Sequence, residues 1–332
     1  MSIETLKNWL PTRIKNVEGN ERKVGIELEF SGCEPEDILA CITDNFGGEV
    51  EKRSVFEYSV VDTDFGDFTV ELDAQLLQKI VTPSSEETVE DKLIQVAEGL
   101  LKSAAEQLVP WEVVAPPVKI SELHQLENMI KCLRNKGALG TRHAMRYAFG
   151  LHLNPELPDF EASTLVRFMQ AYLCLYDWIY AKEKIDVVRK ITPYIDHFGK
   201  DYILKVVNPE YSPNKETFIK DYLEFNPTRN RSLDWLPLFA HFDKEWIKGL
   251  KEEALIKSRP TLHYRLPNCD IDNTQWNLQE PWSYWLKVEA LANQPDKLEH
   301  LMEEFREDYQ RFTRALDGQW IKRCEEFVSE LE

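Results

Sequence analysis

Lys23-Val24-Gly25-Ile26-Glu27-Leu28-Glu29-Phe30 alternates strictly: Val24, Ile26, Leu28 and Phe30 fall on one side, Glu27 and Glu29 on the other. A period of two marks a β-strand with one packed and one polar face. The same pattern recurs farther along the chain. Phe68-Thr69-Val70-Glu71-Leu72-Asp73 sets Phe68, Val70 and Leu72 against Glu71 and Asp73. In Trp111-Glu112-Val113-Val114 the acid Glu112 opposes Trp111 and Val113. Phe149-Gly150-Leu151-His152-Leu153-Asn154 gives His152 and Asn154 to the polar side, and Thr261-Leu262-His263-Tyr264-Arg265-Leu266 gives His263 and Arg265.

One such strand has an ordinary explanation, because a half-buried antiparallel strand wets one face. Repetition argues for more. Asp and Glu are disfavoured in strands, yet three of these segments carry five carboxylates, Glu27, Glu29, Glu71, Asp73 and Glu112. Carboxylates on neighbouring strands repel by roughly several tenths of a kcal/mol per pair unless a cation lies between them. An oxygen-rich set with one imidazole suits Mg²⁺ or Mn²⁺ better than zinc. The face reads as a divalent-metal floor with arginine beside it for a phosphate, the equipment that phosphoryl transfer from ATP requires. Other phosphate devices are missing from the sequence: there is no GxxxxGK[ST] loop and no kinase motif set, and Gly137-Ala138-Leu139-Gly140 follows a helix as a terminating turn.

Composition narrows the partners. The 332 residues carry 40 Lys+Arg against 58 Asp+Glu, a net charge of −18. That balance excludes non-specific nucleic-acid binding, which needs a positive footprint, and an anionic membrane surface. The 43% hydrophobic content, with nine Trp, supports a sizeable core. The longest apolar stretch, Phe168 to Tyr180, is interrupted by Gln170 and Asp177 and is too short to span a bilayer. The first fifteen residues do not read as a signal peptide. Six cysteines (Cys33, Cys41, Cys132, Cys174, Cys269 and Cys324) show no CxxC pair. Neither a zinc site nor a dense disulfide framework follows from that spacing; buried, reduced thiols in a cytoplasmic protein are expected.

No repeat or low-complexity linker divides the chain. Ser84 to Glu87 forms a capping box ahead of an amphipathic helix that ends before Pro110. Ser121 opens a helix stopped by Gly137, and Ala162–Ala181 is apolar nearly all round, a buried helix. Asp186–Tyr211 reads as partly irregular, and two closing helices are expected over Trp285–Leu291 and from Pro295 to about Leu331. Trp282 and Trp285, at helical spacing, suit a core better than a base-stacking platform.

The ordered blocks carry a resemblance. Val24-Gly25-Ile26-Glu27-Leu28-Glu29-Phe30, Val70–Asp73, Pro110–Pro117, Gly150–Pro155, Asn226–Phe239 and Arg259–Asn268 together resemble the bacterial amidoligase family, a branch of the glutamine synthetase and glutamate–cysteine ligase superfamily. The resemblance runs from about Val24 to Leu291. It implies an α+β fold: a glutamine synthetase-like curved, largely antiparallel sheet with helices on its convex face and the site on the concave one. One catalytic domain over 1–332 is expected, with a mostly helical insertion over 160–255 and C-terminal helices over 280–332.

The activity it implies is an ATP-dependent carboxylate–amine ligase. Mg²⁺-ATP phosphorylates a substrate carboxylate, and an amine or ammonia displaces phosphate to leave an amide. Glu27, Glu29, Glu71, Glu112, His152 and His263 would serve a metal, Arg265, Arg231, Arg146 and Asp73 the chemistry, and Arg229 and Asn154 the nucleotide or substrate. Arg229 and Arg231 have a plainer reading as partners of a helix start. One departure is visible: the late strand of glutamine synthetase reads Glu-x-Arg, whereas here it reads His263-Tyr264-Arg265, so His263 replaces a carboxylate ligand or the site holds one metal fewer. About 22 residues precede the first strand, too few for the β-domain that builds glutamine synthetase rings; a small homo-oligomer is expected, not a dodecamer. The alternatives are a phosphotransferase on the same sheet and a non-catalytic relative used for protein contacts.

Overall fold

The computed structural model describes residues 6–54, 56–72, 110–141, 149–184 and 196–331. The capping-box helix, Asp73, Arg146 and the first part of the Asp186–Tyr211 stretch lie outside the described residues. Within them the fold mixes helix and strand around one open, eight-stranded antiparallel sheet in the order β2-β3-β4-β5-β1-β6-β8-β7. The strands are β1 (Lys23–Phe30), β2 (Glu49–Lys52), β3 (Glu57–Val61), β4 (Phe68–Leu72), β5 (Trp111–Lys119), β6 (Leu151–Pro155), β7 (Leu233–Asp234) and β8 (His263–Tyr264).

Strand β1 occupies the interior of the sheet because its packed side is wholly apolar. Val24, Ile26, Leu28 and Phe30 are all fully buried, and Ile26 and Leu28 face Ala115 and Val113 of β5 and Leu153 and Leu151 of β6. Val70 of β4 extends that face, paired with Val113. Helices cover it. Helix α1 (Pro35–Phe46) turns Ile38, Leu39, Ile42 and Phe46 inward, with Phe46 stacked on Phe68 of β4 at 5.3 Å. Helix α2 (Leu126–Asn135) brings Met129, Ile130 and Leu133, all fully buried. Helix α3 (Ala162–Lys182) is buried nearly all round, as its apolar composition requires. Its Tyr172 meets Tyr264 of β8 at 5.9 Å, and Tyr264 meets Trp285 of α4 (Gln279–Ala292) at 5.5 Å. Trp282 and Trp285 are therefore core residues.

Several expectations are revised. Strand β5 continues through Pro116 and Pro117, because the pairing with β1 slips by a residue between Val24 and Ile26 and the bulge absorbs the missing N–H groups. Ser121 does not open an α-helix: Ile120–Gln125 is 3₁₀, and α2 follows it. The second closing helix is broken, into Pro295–Tyr309, Arg314–Asp317 and Gln319–Ser329, with Gly318 left-handed at the last junction. The Asp186–Tyr211 stretch, expected to be only partly irregular, holds a helix over Lys200–Val206 within its described part. The cysteines are not all reduced. Cys41 and Cys132 form a disulfide, while Cys33, Cys174, Cys269 and Cys324 are free and buried. The two partners lie 91 positions apart in sequence, so spacing could not reveal them, but α1 and α2 pack side by side and bring their Cα atoms to 5.6 Å. Among the described residues no helix is long and apolar enough to cross a membrane.

A buried ion pair ties the start of β1 to the helical layer. Arg22 and Glu289 of α4 are both fully buried. The guanidinium donates to both carboxylate oxygens, at 2.8 and 2.6 Å. Its remaining N–H groups go to the carbonyls of Glu156, just after β6, and of Arg13. Trp285 donates to the same carboxylate at 2.7 Å. Removing one member of such a pair strands a charge in the core. Arg22→Met is expected to cost about 3–5 kcal/mol in urea unfolding, and the double variant Arg22→Met/Glu289→Leu to recover much of it. Thiol counting on denatured, unreduced protein is expected to find four reactive cysteines of the six.

Candidate active site

The period of two that packs β1 also sends Glu27 and Glu29 to the opposite face, and strand register lines up their neighbours. Glu29 is the cross-strand partner of Glu112, Glu112 of Glu71, and Glu71 of Glu57, so four carboxylates cross β1, β5, β4 and β3 in one row. On the other flank of β1, Glu27 faces His152 and Gly25 faces Asn154 of β6. Beyond β6, His263 of β8 pairs with Asp234 of β7.

Glu27 is buried and collects donors from three segments. Its Oε2 lies 3.0 Å from His152 Nδ1 and 3.5 Å from His263 Nε2. Its Oε1 accepts from Asn154 Nδ2 at 2.9 Å and from an Arg259 terminal nitrogen at 3.1 Å. Burial pushes the Glu27 carboxyl up, but the imidazoles and Arg259 outweigh it and hold it well below the usual carboxylate range. Burial and the neighbouring arginines Arg259 and Arg265 keep the His263 imidazole neutral, against the pull of Glu27. His152 and His263 meet edge to face at 4.9 Å. Glu29 accepts the Gly150 N–H through Oε2 at 2.7 Å, and its Oε1 lies 3.8 Å from His152 Nε2.

The arginines gather at the β7–β8 end. Arg265 donates to the Arg229 carbonyl at 3.3 Å. Burial and Arg265 lower the pKa of the Arg229 guanidinium. Arg265, Arg229 and Arg259 all act on the Asp234 carboxyl, which burial nevertheless pushes up to about 7. Asp234 Oδ1 accepts the Leu236 N–H at 2.9 Å, two residues on, and Oδ2 lies 3.9 Å from His263 Nδ1. Arg231 does not join this group. It donates to the carbonyls of His197 and Phe225 and lies over the Phe198 ring.

Thus Glu27, His152, His263 and Asn154 come together, Glu29, Glu71 and Glu112 share one row, and Arg229 and Arg265 stand at one end. Arg259 and Asp234 were not singled out from the sequence, although both lie in blocks with a distinctive pattern. Two sets of donors among the described residues are compact enough for a cation, Glu29–Glu112–His152 and Glu27–His152–His263. The first fits Mg²⁺ or Mn²⁺ by composition, with two half-buried carboxylates and one imidazole. The second is fully buried and lies against Arg259.

A polar sheet face that gathers carboxylates, imidazoles and guanidinium groups on one side of a packed core is an arrangement of the kind enzyme sites use. The chain belongs to the family described as "Putative amidoligase enzyme", whose model matches residues 20–287, and that description supports an enzyme of the ligase type. The match takes in every residue of the polar face named above. No curated protein and no solved structure matches the chain significantly.

Asp234 gives the fold a pH dependence. A carboxyl ordinarily titrates near ~4 and Asp234 does so at about 7. The folded chain therefore holds a proton that the unfolded chain has released, and this group's contribution to stability falls as pH rises through that window. Asp234→Asn, which keeps an acceptor for the Leu236 N–H, is expected to melt above wild type at pH 8 and level with it at pH 4, measured by circular dichroism.

Proposed function

We propose that the protein is an ATP-dependent carboxylate–amine ligase working on this sheet face, with the glutamine synthetase-like architecture its sequence resembles. The observation that carries the reading is the in-register row Glu29–Glu112–Glu71 beside His152, with Arg229, Arg259 and Arg265 at the other end of the same face. Glu29, Glu112 and His152 would hold Mg²⁺ (or Mn²⁺), which when bound neutralises phosphate oxygens of ATP. The guanidinium groups then orient the phosphoryl group and stabilise its charge as it moves.

The substrate carboxylate attacks the γ-phosphorus, ADP departs, and an acyl phosphate forms. An amine or ammonia attacks the acyl carbon, phosphate leaves with the C–O bond electrons, and the ammonium proton passes to solvent. Glu71, next along the row, supplies negative charge where a cationic amine approaches. The buried surroundings of Glu27 and His263 exclude water, which would otherwise hydrolyse the acyl phosphate. The substrates of this reading are ATP, a carboxylate and an amine.

Hydroxylamine tests it, because it traps an acyl phosphate as a hydroxamate. With Mg²⁺-ATP and a panel of amino acids and peptides as carboxylates, hydroxamate is expected in step with ADP. ADP release without hydroxamate or amide from any carboxylate would remove the ligase reading in favour of simple phosphotransfer. Glu29→Gln and Glu112→Gln are each expected to lower the rate by more than about 100-fold.

A further inference from the structure

Building on the ligase reading, we propose that Glu27 is a positioning residue rather than a metal ligand: it orients His152 so that Nε2 faces Glu29 and Glu112, and Arg259 is its built-in counter-ion. The geometry of three contacts leads there. An ionised carboxylate only accepts, so the 3.0 Å contact with Glu27 Oε2 places the proton on His152 Nδ1. In a neutral imidazole the lone pair then sits on Nε2, the nitrogen 3.8 Å from Glu29 Oε1. Histidines that bind metals commonly have their other nitrogen fixed by a carboxylate in this way.

Most of the acceptor capacity of Glu27 is also used within the protein. Oε1 takes N–H groups from Asn154 and Arg259 and Oε2 takes His152, while His263 Nε2 stands 3.5 Å from Oε2 without a hydrogen bond. A carboxylate offers about four lone-pair sites. A cation drawn to this carboxylate would have to stand against the Arg259 guanidinium. Among the described residues the Arg259 side chain makes its hydrogen bond to Glu27, and its buried Nε has no partner there. Within the alternative donor set, Glu27–His152–His263, the carboxylate is thus already engaged by His152, Asn154 and Arg259, and the cation site is Glu29, Glu112 and His152 Nε2.

Mn²⁺ alone, titrated into the full chain without nucleotide, tests this by electron paramagnetic resonance. Wild type is expected to bind one ion with a directly coordinated imidazole nitrogen. Glu27→Leu should weaken binding by about 10–100-fold, and Glu27→Gln, whose amide oxygen still accepts from His152 Nδ1, should restore most of the loss with the nitrogen signature unchanged. Glu29→Gln and Glu112→Gln should lose more affinity than either. In the metal-free wild type, ¹⁵N shifts of the His152 ring should report protonation at Nδ1 alone, a readout that needs no variant. The proposal is overturned by a proton on Nε2, by Glu27→Gln abolishing Mn²⁺ binding as fully as Glu29→Gln, or by wild type binding no Mn²⁺. The expected Mn²⁺ pattern with a silent hydroxylamine assay would remove the ligase reading and leave this assignment standing.

Discussion

An ionised carboxylate in the interior strand of a packed sheet is the constraint around which the site is arranged. Glu27 cannot avoid burial, because the alternation that packs Ile26 and Leu28 leaves it on the polar face among the side chains of His152, Asn154, Arg259 and His263. Desolvating such a group costs several kcal/mol (order of magnitude) unless donors replace the lost water. The replacements come from residues 152, 154 and 259, so they exist only when β1, β6 and the approach to β8 are all in register. A one-residue slip of β1 would send Glu27 into the apolar layer and Ile26 onto the acidic face. The same carboxylate that threatens stability thus specifies the register.

A second buried network fixes the other end of the strand. Arg22 sits one residue before β1 and grips Glu289 of α4 and the carbonyl of Glu156 after β6. Between them the two networks hold β1 against both its β6 neighbour and the helical layer. The electrostatics of the polar face then divide along the sheet. Carboxylates fill the row through β5, β4 and β3, and guanidinium groups cluster toward β7 and β8. The net charge of −18 spread over the chain hides that division, since most acids lie elsewhere.

What could be read from the sequence was whatever a strand long enough to show its period carries. β1, β5 and β6 announce their polar faces, and Glu29, Glu112 and His152 follow from them. The late segment announced a strand over Thr261–Leu266, but only His263 and Tyr264 pair as one, because Thr261 makes an isolated bridge and Arg265 gives its N–H to Ser232. β7 is two residues long and has no period to read, so Asp234 passed unnoticed. Arg259 reaches Glu27 from outside any strand, across 232 positions of sequence. Arg231 shows the opposite failure: sitting in the same motif as Arg229, it turns to the His197 and Phe225 carbonyls, and nothing local separates the two fates. The Cys41–Cys132 link likewise depends on which helices share a face.

A physical reason favours an imidazole over a carboxylate at His263. Its ring lies between Glu27, 3.5 Å from Nε2, and Asp234, 3.9 Å from Nδ1, all three buried. A third carboxylate there would face ionised Glu27 at a distance where like charges repel by about 4 kcal/mol even at an effective dielectric of about 20. Arg259 is already engaged with Glu27, and Asp234 already resists ionisation with three arginines acting on it. A neutral imidazole fills the space, meets His152 edge to face, and adds no charge. The pairing of Glu27 with Arg259 and the neutral imidazole of His263 thus act together, keeping a second negative charge out of this buried end of the face.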